Sequence, residues 1–83
     1  MSADKTEYKK IQFAILKLLF NNARATSLAD ITKMTQKPKS DTQYHCDVLT
    51  EQRLIQSVSV PVGERFTDGF SITVLGRKTI MEQ

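Results

Sequence analysis

The chain has 83 residues, 40% of them hydrophobic and 25% charged, with twelve Lys/Arg against nine Asp/Glu and a formal charge of +3. That is enough chain for one core and not for two, so residues 1–83 are expected to form a single domain that a second copy would help to stabilise. The single cysteine, Cys46, cannot close an internal disulfide, and one His with one Cys cannot make a four-ligand zinc site, so no metal or other cofactor is expected.

No apolar run is longer than Phe13–Leu16, far short of the ~20 residues of a membrane span, and the charged N-terminal stretch is not a signal sequence. The expectation is an intracellular, cytoplasmic protein without membrane contact. Enzyme chemistry is excluded by the scarcity of groups to perform it. His45 and Cys46 are neighbours that point about 100° apart on a helix and cannot pair as base and nucleophile. No GxGxxG, Walker A, HExxH or GxSxG sequence is present.

In chain order, the first element is a helix over Lys5–Asn21, free of Gly and Pro, with Tyr8, Ile11, Ile15, Leu18 and Leu19 on one face. Asp4 with Glu7 makes a capping box at its start. Phe13, Leu16 and Phe20 widen the apolar stripe beyond what one core needs, leaving either a fully internal packing or a surface for a second copy. Ser27 with Asp30 opens a second, short helix that buries Leu28, Ile31 and Met34. Pro38 forbids its continuation, and Ser40 with Gln43 opens a third helix over about 40–52. That helix buries Thr42, Cys46 and Leu49, with His45 buried in part.

From Ile55 the period becomes alternating, giving a strand that Pro61 ends or confines to an edge. The glycines and charges of residues 61–69 predict a hairpin loop, with Phe70-Ser71-Ile72 as the returning strand. Thr73 caps a last helix over Val74–Met81, which Gly76 weakens. The class is α+β, mainly α: helix, helix, helix, strand, wing-like loop, strand, helix.

Two stretches resemble a known family, the winged helix-turn-helix regulators of the MarR/ArsR kind. Tyr44-His45-Cys46-Asp47-Val48-Leu49 running into Leu54-Ile55 is similar to that family's Y-H-L-x-x-L and the L-[IV] that leads into the wing. Phe70-Ser71-Ile72-Thr73-Val74-Leu75-Gly76-Arg77 is similar to the Y-x-L-T-x-x-G-[RK] that closes the wing and opens the last helix. The departures are Cys46 in place of leucine and Arg53 in place of glycine, where a side chain pays more to turn left-handed.

The resemblance implies a winged-helix domain across nearly the whole chain and a transcriptional regulator that binds double-stranded DNA, its third helix in the major groove and the wing, residues 61–69, on backbone or minor groove. On that helix the exposed face carries Ser40, Gln43, Tyr44 and Asp47, the candidate base-reading residues. Gln43 matches adenine, Asp41 or Asp47 a cytosine amino group, and Tyr44 a thymine methyl or a phosphate. Asp41 has an alternative role, since an acid at a helix N-terminus is favourable by itself. Lys33, Lys37 and Lys39 near the turn, and Arg65 in the wing, are candidate backbone contacts. Glu64 and Asp68 are close enough in sequence to neutralise Arg65.

The first and last helices, through Tyr8, Phe13, Leu16, Phe20 and Ile80, are the candidate homodimer interface. The residues left over hold no effector domain, so no small-molecule effector is expected. His45 is expected to be a packed, hydrogen-bonded residue. Cys46 is expected to act as a small hydrophobe, with a redox role only if exposed. One feature favours a second function, a winged-helix adaptor that binds protein: the +3 resides in residues 1–24, while residues 25–83 hold seven charges of each sign.

Overall fold

The computed structural model describes residues 5–22 and 24–82, so Asp4 and its capping role lie outside the described residues. Seven elements follow in order: α1 (Lys5–Asn21), β1 (Thr26–Ser27), α2 (Leu28–Thr35), α3 (Lys39–Glu51), β2 (Ile55–Val62), β3 (Arg65–Ile72) and α4 (Val74–Met81). The strands form one antiparallel sheet in the order β1-β3-β2, and the fold is a winged helix-turn-helix, as the sequence predicts.

Local chemistry accounts for most of the boundaries. Ser27 is extended and its hydroxyl accepts the Asp30 N–H at 3.1 Å, satisfying one orphan donor at the start of α2. α2 ends at Gln36 in the left-handed region (φ 59°), whose N–H donates to the Thr32 carbonyl at 3.0 Å. α3 starts one residue earlier than predicted. Pro38, with φ −56°, occupies the N-cap without a side-chain cap, and its carbonyl accepts both the Thr42 N–H (3.0 Å) and the Thr42 hydroxyl (3.2 Å). Ser40 therefore lies inside the first turn and not at its cap.

The exit from α3 resolves the departure at Arg53. Its φ is 63°, its N–H donates to the Thr50 carbonyl at 2.9 Å, and the Leu54 N–H reaches back to the Leu49 carbonyl at 3.0 Å. These are the paired bonds of a Schellman motif, made here by an arginine at the position that usually takes glycine.

The wing differs from the predicted loop. β2 and β3 pair over their full eight residues, from Ile55↔Ile72 to Val62↔Arg65, so the connection shrinks to Gly63-Glu64 with Gly63 at φ 62°. Pro61 is tolerated because β2 is an edge strand, where its missing N–H breaks no ladder bond. Gly69 is a packing position: a Cβ there would fall 2.8 Å from the Thr26 carbonyl oxygen and collide with Val60, blocking the approach of β1. Strand β1, paired as Thr26↔Phe70 and Ser27↔Gly69, was not predicted.

The core joins all layers through Ile15, Leu16, Leu19, Leu28, Ile31, Cys46, Leu49, Ile55, Phe70 and Ile72. Two expectations are corrected here. Leu16 is 2% exposed and packed inside its own chain, which removes it from any dimer surface. Met34 is 59% exposed because the eight-residue α2 seals the core with Leu28 and Ile31 alone.

Thr73 ties the end of the chain to α3. It caps α4 by accepting the Gly76 N–H (3.1 Å), and its hydroxyl lies 2.6 Å from the Arg53 carbonyl and 3.0 Å from the Leu54 carbonyl. The Thr73 N–H also donates to Leu54 at 3.0 Å.

Candidate nucleic-acid interface

Helix α3 has one flank in the core and the other in solvent. Thr42, His45, Cys46 and Leu49 are buried, while Lys39, Ser40, Asp41, Tyr44, Asp47 and Glu51 are exposed and Gln43 is half-buried. Helical spacing thus presents Ser40, Gln43, Tyr44 and Asp47 together along the outward flank.

Gln43 and Asp47 are not independent. One turn apart, they are joined by a 2.8 Å bond from the Gln43 side-chain amide to Asp47 Oδ1. Bidentate pairing of Gln43 with adenine would use the amide oxygen and one of the two amide hydrogens, so the other hydrogen can stay on Asp47 and fix the orientation of the amide.

Tyr44 is 52% exposed, and its ring packs against two others. Its centroid is 5.2 Å from that of His45 and 6.0 Å from that of Tyr8, and Tyr8 lies 5.1 Å from His45, all three pairs edge-to-face. The Gln12 side-chain amide donates to His45 Nδ1 at 3.1 Å, which leaves the imidazole hydrogen on Nε2. Burial lowers the His45 pKa; Asp41 partly opposes that shift and Lys37 adds to it.

Tyr8 therefore faces the third helix and not outward as the dimer assignment requires. The ring contact spans the fold from α1 to α3, and no local pattern in the sequence signals it. An open cleft of about 360 Å³ lies beside the cluster, lined by Glu7, Tyr8, Ile11, Lys37, Asp41, Tyr44 and His45.

The cations are dispersed. Lys33 is exposed in the last turn of α2, Lys39 is exposed at the start of α3, and Lys37 between them is half-buried beside the cleft. Arg65 is exposed on the wing and shares a face with its cross-strand partner Val62. Phe66, 73% exposed, shares the opposite face with Pro61.

Cys46 is fully buried, and burial, helped by the Asp47 charge, pushes its thiol up to about 12. That is a packing residue. Among the described residues no group of three or more His, Cys, Asp or Glu is placed to hold a metal ion, and no helix is long and apolar enough to cross a membrane.

Of the remaining predicted dimer residues, Phe13 is half-buried, Phe20 and Ile80 pack against the core, and the Arg77 guanidinium sits 6.0 Å above the Phe20 ring. On α4, the apolar side chains of Val74, Leu75 and Met81 are exposed. The seven-residue interval between Val74 and Met81 was a readable signal that they share a helix face.

No protein-family model and no curated protein matches the chain. Solved structures do. A variant of Lactococcus lactis ZitR, a protein described as a zinc-responsive MarR family member, superposes with a TM-score of 0.77 at 25% identity, over 93% of this chain and 56% of that one. A transcriptional regulator homologue from Pyrococcus horikoshii gives 0.78 at 19% identity, over 94% and 78%. A MarR family regulator from Neisseria meningitidis gives 0.68 at 22%, over 95% and 59%. The chain spans about half the length of the ZitR and MepR chains it matches. The Pyrococcus and Neisseria neighbours are described as a transcriptional regulator homologue and a MarR family regulator, and the fold of the chain is the same MarR-like winged helix.

Proposed function

We propose that this MarR-like winged helix is a transcriptional regulator that binds double-stranded DNA in a sequence-specific manner, with α3 in the major groove and the wing against backbone or minor groove. The observation that carries the reading is the two-sidedness of α3: a fully packed inner flank, and an outer flank offering Ser40, Gln43, Tyr44 and Asp47 to a base edge. Lys33, Lys37, Lys39 and Arg65 are the phosphate contacts that supply position and affinity. A homodimer would place two such helices in successive major grooves, with Phe13, Phe20 and Ile80 joined by the exposed Val74, Leu75 and Met81 as its seam. Sedimentation at micromolar concentration tests the seam; a strict monomer removes it.

Selection of bound duplexes from a random pool, followed by titration at two salt concentrations, tests the DNA reading. A selected, two-fold symmetric site and a fall in affinity of orders of magnitude between low and moderate salt are expected. Q43A or Y44A should weaken preference at one base pair per half-site by ~1–3 kcal/mol. Replacing Lys37 and Lys39 should weaken all sequences alike and flatten the salt slope. Absence of duplex binding would leave the protein-adaptor reading.

A further inference from the structure

We propose that Tyr8 of α1 is a positioning residue for DNA reading, fixing the Tyr44 ring before DNA arrives; the inference rests on the DNA-binding role of α3 proposed above. A tyrosine on the outward flank of a helix is ordinarily free to change rotamer, and that freedom is lost on binding. Tyr44 is not in that position. The residue is 52% exposed, and two rings pack edge to face against its own, those of His45 on the same helix and Tyr8 on α1.

The cluster has an internal order. Tyr8 and Gln12 lie one turn apart on α1 and engage two consecutive residues of α3. Gln12 holds the imidazole through Nδ1 at 3.1 Å, so the His45 ring cannot turn about its own axis without losing that bond. The fixed imidazole then presents to both tyrosines at 5.1 and 5.2 Å, and Tyr8 closes the triangle at 6.0 Å. Three rings meeting edge to face have few other arrangements that keep all three contacts. The orientation of a base-reading side chain is thereby set by a helix that is assigned no base contact.

The chain has no Trp and two Tyr, so replacing Tyr8 leaves Tyr44 as the only strong intrinsic fluorophore. The test uses Y8F, which keeps a ring, Y8L, which keeps only apolar bulk, and Y44A. In the free protein, iodide should quench Tyr44 more readily in Y8L than in Y8F. On DNA, Y8L should lose ~3- to 10-fold of the preference for the selected duplex over a scrambled one, with affinity for the scrambled duplex and the salt slope unchanged. Y8F should retain that preference.

Q12L, which frees the imidazole, should shift preference the same way and provides a second route if Y8L does not fold. Wild-type preference in Y8L or Q12L, alongside a loss in Y44A, would overturn the positioning role. Equal loss on both duplexes would overturn it as well, because that is the mark of general destabilisation. If Y44A itself keeps full preference, it is the reading role of Tyr44 that fails, and the positioning role fails with it.

Discussion

Helix propensity and packing make opposite predictions for Gly76→Ala. Gly76 lies in the first turns of α4, where alanine is favoured over glycine by about 1 kcal/mol on backbone grounds. The surroundings reverse the sign. A Cβ at this position would collide with the Leu54 carbonyl oxygen, lie 2.7 Å from Ile72 Cγ1 and 3.1 Å from the Leu54 carbonyl carbon. Leu54 cannot yield easily, since the same carbonyl is held by the Thr73 N–H at 3.0 Å and faces the Thr73 hydroxyl at 3.0 Å. α4 must therefore back away. Overpacking of this kind costs about 1–3 kcal/mol, and weakening the bonds to Leu54 adds about 0.5–1.5 kcal/mol each. Set against the propensity gain, the net loss is about 1–5 kcal/mol, a fall in Tm of roughly 4–40 °C for a domain this small. Thermal and urea denaturation measure it directly. G76A as stable as the parent would mean that α4 is not seated on Leu54 as described.

Arg53→Gly should stabilise the protein. Relief of a left-handed side chain, worth about 1–2 kcal/mol, exceeds the extra freedom glycine gives the unfolded chain, about 0.4–1 kcal/mol, so Tm should rise by a few degrees and an unchanged or lower Tm would contradict the strain. His45 should make the fold acid-sensitive. Burial depresses its pKa below the ordinary 6.5, so the unfolded chain takes up the proton first, and stability that is complete above pH 6.5 declines as the pH falls below it. Urea midpoints at pH 7.5 and 5.5 should differ less in H45Q than in the parent; equal differences would count against this account. The Cys46 thiol, pushed up to about 12 and fully buried, should react with a disulfide reagent only as fast as the domain opens, and modification within the mixing time of the native protein would disprove that.

Where a feature depends on neighbours in sequence, it was legible. α1 follows from seventeen residues without Gly or Pro, and α2 and α4 follow from the hydroxyls of Ser27 and Thr73, each of which caps the N–H three residues on. The Gln43–Asp47 bond is also local and available from helical spacing. What was not legible depends on partners far along the chain. β1 has two residues and therefore no period, and it exists because Gly69, forty-two positions after Ser27, leaves room for it. Residues 61–69 have a loop's composition, yet all but Gly63 and Glu64 lie on two paired strands, because an edge accepts Pro61 and the second glycine serves packing. Met34 and Leu16 were misplaced by periodicity alone, which gives a face but not how far a neighbouring element covers it. The same limit hid Tyr8 behind Tyr44: residues thirty-six apart meet only because α1 lies across α3.

The paired wing has a mechanical consequence. A loop of nine residues could drape itself over whatever surface it met, at an entropic cost. A ribbon laddered from Ile55 to Val62 and closed by two residues behaves as a stiff gauge. On the DNA-binding reading proposed above, Arg65 would be carried at a set distance from α3, and duplexes whose groove width or curvature fails to match that span would be discriminated against mechanically, before any base is inspected.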